Sequence, residues 1–199
     1  VRRGVAASAA RFLEIGFNGI HYSFPGAGSG NIHLLMLLDQ THALTAASAA
    51  ALSLSADALE PVPGLAWLAR KTGSRRGFWT RSFYEAVAAR VDQIAVSPDR
   101  MALPVPWLAA SLMAWQTKSI RRLTAGRAVL FMGVRGRTDE AGVRLAGSAL
   151  SGIRKGMSAL ADDPFDNFGL ALDAHWATTG QGDHVLLEDW LEAGDVVAR

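Results

Sequence analysis

The octapeptide Arg127 to Val134, RAVLFMGV, constrains the fold more than any other stretch of this chain. Its residues are apolar at odd and even positions alike, so a strand built from it needs cover on both faces. Strands of that kind lie inside parallel sheets. Around it, the short apolar runs GIHYSF and DQIAV alternate with segments whose apolar positions recur every three or four residues. In FWTRSFYEAVAARV, Phe83, Val87 and Val91 share a helical face from which Arg81, Glu85 and Arg90 are absent. From Trp107 to Leu123 the same spacing predicts a helix with Lys118, Arg121 and Arg122 in its last turns and Gly126 as its stop. The N-terminal VRRGVAASAARFLEIGF reads as a surface helix leading into the first strand. Strands separated by helices along the whole length predict an α/β fold: three layers around a mostly parallel sheet. THALTAASAAALSLSADALEP fits a weak helix or a buried connection, GVRLAGSAL a short apolar stretch, and IRKGMSALAD a helix. FGLALDAHW and DHVLLEDWLEAGDVVA, near the end, fit either type of element.

At 199 residues, half of them hydrophobic, the chain has enough apolar surface for one buried core, and a single domain over 1–199 is expected. There is no cysteine, which removes disulfides, thiolate metal sites and a cysteine nucleophile together and suits a reducing compartment, here the cytoplasm. A formal charge of +2 is too small for nonspecific nucleic-acid binding, although arginine dominates the bases and only Lys71, Lys118 and Lys155 are lysines. No apolar run reaches the ~20 residues of a membrane span. MALPVPWLAASLMAW is too short and holds two prolines, and Arg11 with Glu14 interrupts any signal-peptide core. Contact with a membrane surface through Trp107, Trp115, Arg121 and Arg122 is a lesser reading, since tryptophans at helical spacing usually pack inside. His, Asp and Glu show no helical ligand spacing, so no metal site is expected.

The run FPGAGSGN, Phe24 to Asn31, stands between an expected strand and an expected helix. Gly26, Gly28 and Gly30 clear side chains from the backbone amides, and those of Gly28, Ser29, Gly30 and Asn31 at the helix start would face an anion. The same residues also fit a plain turn. No lysine of the GKS type accompanies them, which argues against an ordinary nucleotide triphosphatase, and the glycine spacing is not that of a dinucleotide fingerprint. In α/β folds ligands collect at the carboxyl ends of strands. The loops after HYSF, QIAV and VLFM are therefore the places for a site.

Several segments, taken in order, resemble the sulfotransferase family. SFPGAGSGNIHLLMLLDQ is similar to its 5'-phosphosulfate loop, ARKTGS to its Lys-Thr-His stretch, IAVSPDRMALP to the strand and turn that hold the 3'-phosphate, and IRKG to its Arg-Lys-Gly run; RAVLFMGVRGRTDEAG is similar to a later family strand. Together they span roughly residues 20–160. The resemblance implies a P-loop-like phosphate-binding turn, 3'-phosphoadenosine-5'-phosphosulfate as cofactor, and a hydroxyl- or amine-bearing small molecule, glycan or lipid as acceptor. By its motifs, Pro25, Gly28, Ser29, Gly30 and Asn31 would hold the 5' end. Ser97, Arg100, Arg154, Lys155 and Gly156 would hold the 3'-phosphate, where arginine binds in bidentate fashion. Lys71 would act as the donor to the leaving group. The chain departs from the family pattern at Gly26 and Ala27, where a basic residue is usual, and at Gly73, where the family has its histidine base. His21 and His33 flank the loop, but a histidine in a strand or on an apolar helix is more often a packed core residue.

Two other readings stand beside this one. FPGAGS also fits the oxyanion loop of an α/β-hydrolase, a thioesterase or esterase with His184 and Asp173 behind a serine. Ser97 lacks the glycine neighbours of a nucleophile elbow, however, and Ser48 follows the loop too soon. The third reading is a noncatalytic nucleotide-binding relative, suggested by Gly26, Ala27 and Gly73. For Lys71, Arg154 and Lys155 the plain alternative is a charge on a solvated surface.

Overall fold

The computed structural model describes residues 2–24, 27–63, 78–96, 105–134, 140–158 and 168–172. The chain divides into two compact units, Val1–Val96 with Leu123–Leu130, and Ser97–Arg122 with Phe131–Arg199.

The first unit opens with α1 (Arg2–Glu14), β1 (Gly19–Ser23), α2 (Ile32–Ala47) and β2 (Ala51–Ala56). Helix α1 stops where Gly16 adopts φ +104°. The Gly16 amide bonds back to Leu13 and the Phe17 amide to Phe12, and the two phenylalanine rings meet edge-on at 5.5 Å. A left-handed residue with an apolar contact across the helix end is a common way to satisfy the last carbonyls. Helix α2 ends by the same device with Ala49 in place of glycine, at φ 51°, its amide on Ala46 and that of Ala50 on Thr45.

A short parallel pair follows, β3 (Ala58–Leu59) with β4 (Phe78–Trp79), then α3 (Arg81–Ala88) and β5 (Gln93–Val96). The amphipathic segment expected from Phe78 onward thus begins as strand, and its helix starts only after Thr80. Phe83, Tyr84 and Val87 are buried on α3, while Arg81 and Glu85 are exposed. Arg90 pairs with Asp39 at 2.8 Å. Helix α2 packs against α1, β2 and α3.

The five-stranded sheet has the order β1-β2-β5-β6-β7, and its first four strands are parallel. Strand β6 (Val129–Val134) joins β5 through the first unit's Val129, whose amide bonds to the Asp92 carbonyl at 2.8 Å. Asp92 also donates its own amide to Leu52 and accepts the Leu52 amide on Oδ2, so one residue binds the starts of three strands. RAVLFMGV is an interior strand, as its composition requires. β2 is the strand the sequence hides: its LSLS alternation lies between alanine-rich flanks.

The register sorts the side chains by face. Ile20 lies opposite Leu52, and Tyr22, Leu54 and Ile94 lie in one row; all are buried. The Tyr22 hydroxyl shares a 2.9 Å hydrogen bond with Thr41 of α2, which places that helix over this face. On the other face, His21, Ser53 and Gln93 form one row and Ser23, Ser55 and Ala95 the next. His21 and Ser23 are exposed.

The second unit contains most of α4 (Pro106–Thr124), the greater part of β6, α5 (Glu140–Ser158) and β7 (Phe168–Leu172), which neighbours β6. GVRLAGSAL and IRKG belong to one helix. A Cβ on Gly152 would stand 2.2 Å from the Ala110 carbonyl oxygen, and one on Gly156 2.5 Å from that of Ala114. The two helices approach so closely that only hydrogen fits at these positions. Trp107 is 70% exposed, contrary to a packed role, and Arg121 is buried, so it does not join Arg122 on a basic surface. No helix among the described residues is long and apolar enough to cross a membrane.

Candidate functional site

The loop between β1 and α2 leaves the carboxyl end of β1 and is held by residues more than fifty positions later in the chain. Its Ala27 carbonyl accepts a 2.7 Å hydrogen bond from the indole N–H of Trp79, a fully buried side chain braced edge-on by Phe83 and Tyr84. Ser29 Oγ accepts the Thr80 amide at 3.0 Å and shares a 2.8 Å hydrogen bond with Thr80 Oγ1. Thr80 is also the N-cap of α3, receiving the Phe83 amide. The starts of α2 and α3 therefore meet at a pair of hydroxyls, and both helix dipoles present their positive ends there.

Gly30 sits at φ +80°, a conformation that favours glycine. Asn31 then caps α2, its Oδ1 accepting the amides of His33 at 3.1 Å and Leu34 at 3.2 Å. This cap fills the place that an anion would take on those two amides. The amides of Gly30, Asn31 and Ile32 donate no hydrogen bond within the described residues, and Gly30 and Ile32 are exposed. A loop of this geometry offers three consecutive donors at a helix start.

Of the residues singled out by sequence, Gly28, Ser29, Gly30 and Asn31 come together here. Ser29 is buried, so its hydroxyl serves the loop's anchorage to Thr80. His33 is exposed on the first turn of α2, and Ser48 is that helix's C-cap. Arg154 and Lys155 are exposed on α5 in the second unit, well past its start, and Gly156 is buried against α4. Pro25, Lys71, Ser97, Arg100, Asp173 and His184 lie outside the described residues, as do Gly26 and Gly73. β2 separates β1 from β5, so the loops that follow Ser23 and Val96 start two strand spacings apart, ~10 Å.

Sequence reasoning missed Trp79 and Thr80. A threonine directly before a helical period was a readable cap signal. The bond from Trp79 to Ala27 had none.

A second polar cluster lies on the other face of the sheet. His21 Nδ1 is 2.9 Å from Ser53 Oγ and His21 Nε2 is 2.9 Å from Ser55 Oγ. Burial lowers the His21 pKa below its ordinary 6.5, which keeps the ring neutral at neutral pH. His21 also borders an apolar groove of about 340 Å³ between α1 and β1, lined by Val5, Ala9, Phe12, Phe17 and Ile20. Among the described residues no group of three or more His, Asp or Glu side chains converges as metal ligands would.

No protein-family model, curated protein or solved structure matches the chain. The likeness to sulfotransferases accordingly rests on the order of its short motifs.

Proposed function

We propose that the protein binds 3'-phosphoadenosine-5'-phosphosulfate at the loop between β1 and α2 and moves the sulfuryl group to a hydroxyl or amine of a small molecule, glycan or lipid. The observation that carries this reading is the donor set: the amides of Gly30, Asn31 and Ile32, open at the start of α2 beside the start of α3. Uncommitted amides at a helix start suit an anion. The cofactor would supply the activated sulfuryl group. The loop amides would hold its 5' end and stabilise charge as the nucleotide leaves. Arg154 and Lys155, with Ser97 and Arg100, would hold the 3'-phosphate, and Lys71 would donate to the leaving group. The P-loop-like character of the turn and the third layer of the fold belong to the same proposal.

The test is the melting temperature in the presence of 3',5'-adenosine bisphosphate. Binding to the native state alone stabilises by about 2.7 kcal/mol at a hundredfold excess over Kd. A rise in Tm that disappears in Arg154→Ala/Lys155→Ala is expected. An unchanged Tm in the intact protein overturns the proposal.

A further inference from the structure

We propose that Ser55, His21 and Ser53 form a nucleophile, base and orienting group, and that this site hydrolyses carboxylic esters with an apolar arm. The cluster is independent of the anion-binding loop. Its geometry is that of an activated hydroxyl: a serine and a histidine within hydrogen-bond reach, the ring fixed from behind by a third group. Proton placement follows from the contacts. With hydrogen on Nδ1, the ring donates to Ser53 Oγ, and the Nε2 lone pair accepts the Ser55 hydroxyl, both at 2.9 Å. Neutral imidazole is the form that accepts a proton, and partial desolvation favours it at His21.

Register distinguishes the two serines. Ser53 lies in a row between His21 and Gln93, two larger residues. Ser55 lies between Ser23 and Ala95, two small residues, and one position from the end of β2, where α/β sheets open their sites. Exposed His21 gives access from solvent, and the groove on its α1 side is of a size and lining to take an alkyl or aryl group.

In the first step Ser55 Oγ bonds to the ester carbonyl carbon and its proton passes to His21 Nε2. The bond from carbon to the alcohol oxygen then breaks, and His21 returns the proton to the departing alkoxide. Water repeats the sequence on the acyl-serine, its proton going through His21 to Ser55 Oγ. Ester and water become acid and alcohol.

The test treats the whole protein with an alkyl fluorophosphonate and maps the modified residue by mass spectrometry. Here Ser55 Oγ bonds to phosphorus and fluoride leaves with the proton. Labelling at Ser55 is expected, slowed about a hundredfold or more in His21→Gln, in line with the usual worth of a general base. Ser53→Ala removes one hydroxyl from the strand and is expected to slow labelling with a fold intact by circular dichroism. Absence of label on Ser55, or an undiminished rate in either variant, overturns the proposal.

Discussion

Ala49 adopts at φ 51° the conformation that Gly16 adopts at +104°, each ending a helix with the same pair of backbone bonds. A left-handed conformation costs an L-residue about 1–2 kcal/mol, and glycine at the same place loses about 0.5–1 kcal/mol of that gain to its freer unfolded chain. Ala49→Gly is therefore expected to stabilise the protein by about 0.5–1 kcal/mol, measured by chemical denaturation. A neutral or destabilising result would mean that the end of α2 is held by something other than its local turn. The alanine gives no sign of its role in the sequence, where it looks like any other member of ALTAASAAA. Glycine after a helical segment is a known stop, so Gly16 carries a local signal that Ala49 lacks. His21 presents the opposite difficulty: its residue type attracts notice, but its partners are 32 and 34 positions away and become neighbours only through the register of β1 on β2.

The elements differ in how openly the sequence declares them. β6 is legible because it is an unbroken apolar run and α4 because it keeps one period over many residues, and the helix stop at Gly126 indeed has φ +67°. α5 is obscured by its own packing. Glycines usually signal breaks, so GVRLAGSALSGIRKG divides into pieces on paper, while in the fold Gly152 and Gly156 let α5 lie against the backbone of α4. The same substitution should consequently have opposite signs in two helices. Gly4 in α1 has open space where a Cβ would go, and Gly4→Ala should stabilise by up to about 1 kcal/mol through helix propensity. Gly152→Ala drives a methyl into the Ala110 carbonyl and should destabilise by about 1–3 kcal/mol. Thermal unfolding of the two variants side by side checks this, and equal signs would contradict the close approach. The site loop was half legible: glycines and a capping asparagine mark a turn into a helix, whereas its attachment to Trp79 and Thr80 depends on contacts that no local pattern encodes.

At the scale of the whole molecule, a buried phenol and a partly desolvated imidazole limit the pH range of stability. His21 has a folded pKa below 6.5, so the folded state binds its proton less readily than the unfolded chain. The stability it contributes is complete above 6.5 and is lost as pH falls through the folded value. Tyr84 is fully buried, its hydroxyl bonded to the Asp57 carbonyl, and burial with the Asp57 charge raises its pKa well above 10.0. That contribution is complete below 10.0 and is lost as pH rises toward the folded value. Urea titrations from pH 5 to 11 should show stability declining at both ends. The acid decline should flatten in His21→Gln, and the alkaline decline in Tyr84→Phe, the latter at a cost of about 1 kcal/mol at neutral pH for the missing hydrogen bond. Unaltered slopes would assign the declines to other groups.

Asp92 gives the molecule an order of assembly. Leu52, Asp92 and Val129 must find one another across long stretches of chain before β2, β5 and β6 have a common starting line, whereas α1 and α2 close with bonds no more than five residues long. Distant pairings form slowly and local ones fast. The nascent chain thus acquires its first helices early and leaves the free edge of β5 waiting for a partner until the segment around Val129 has been made.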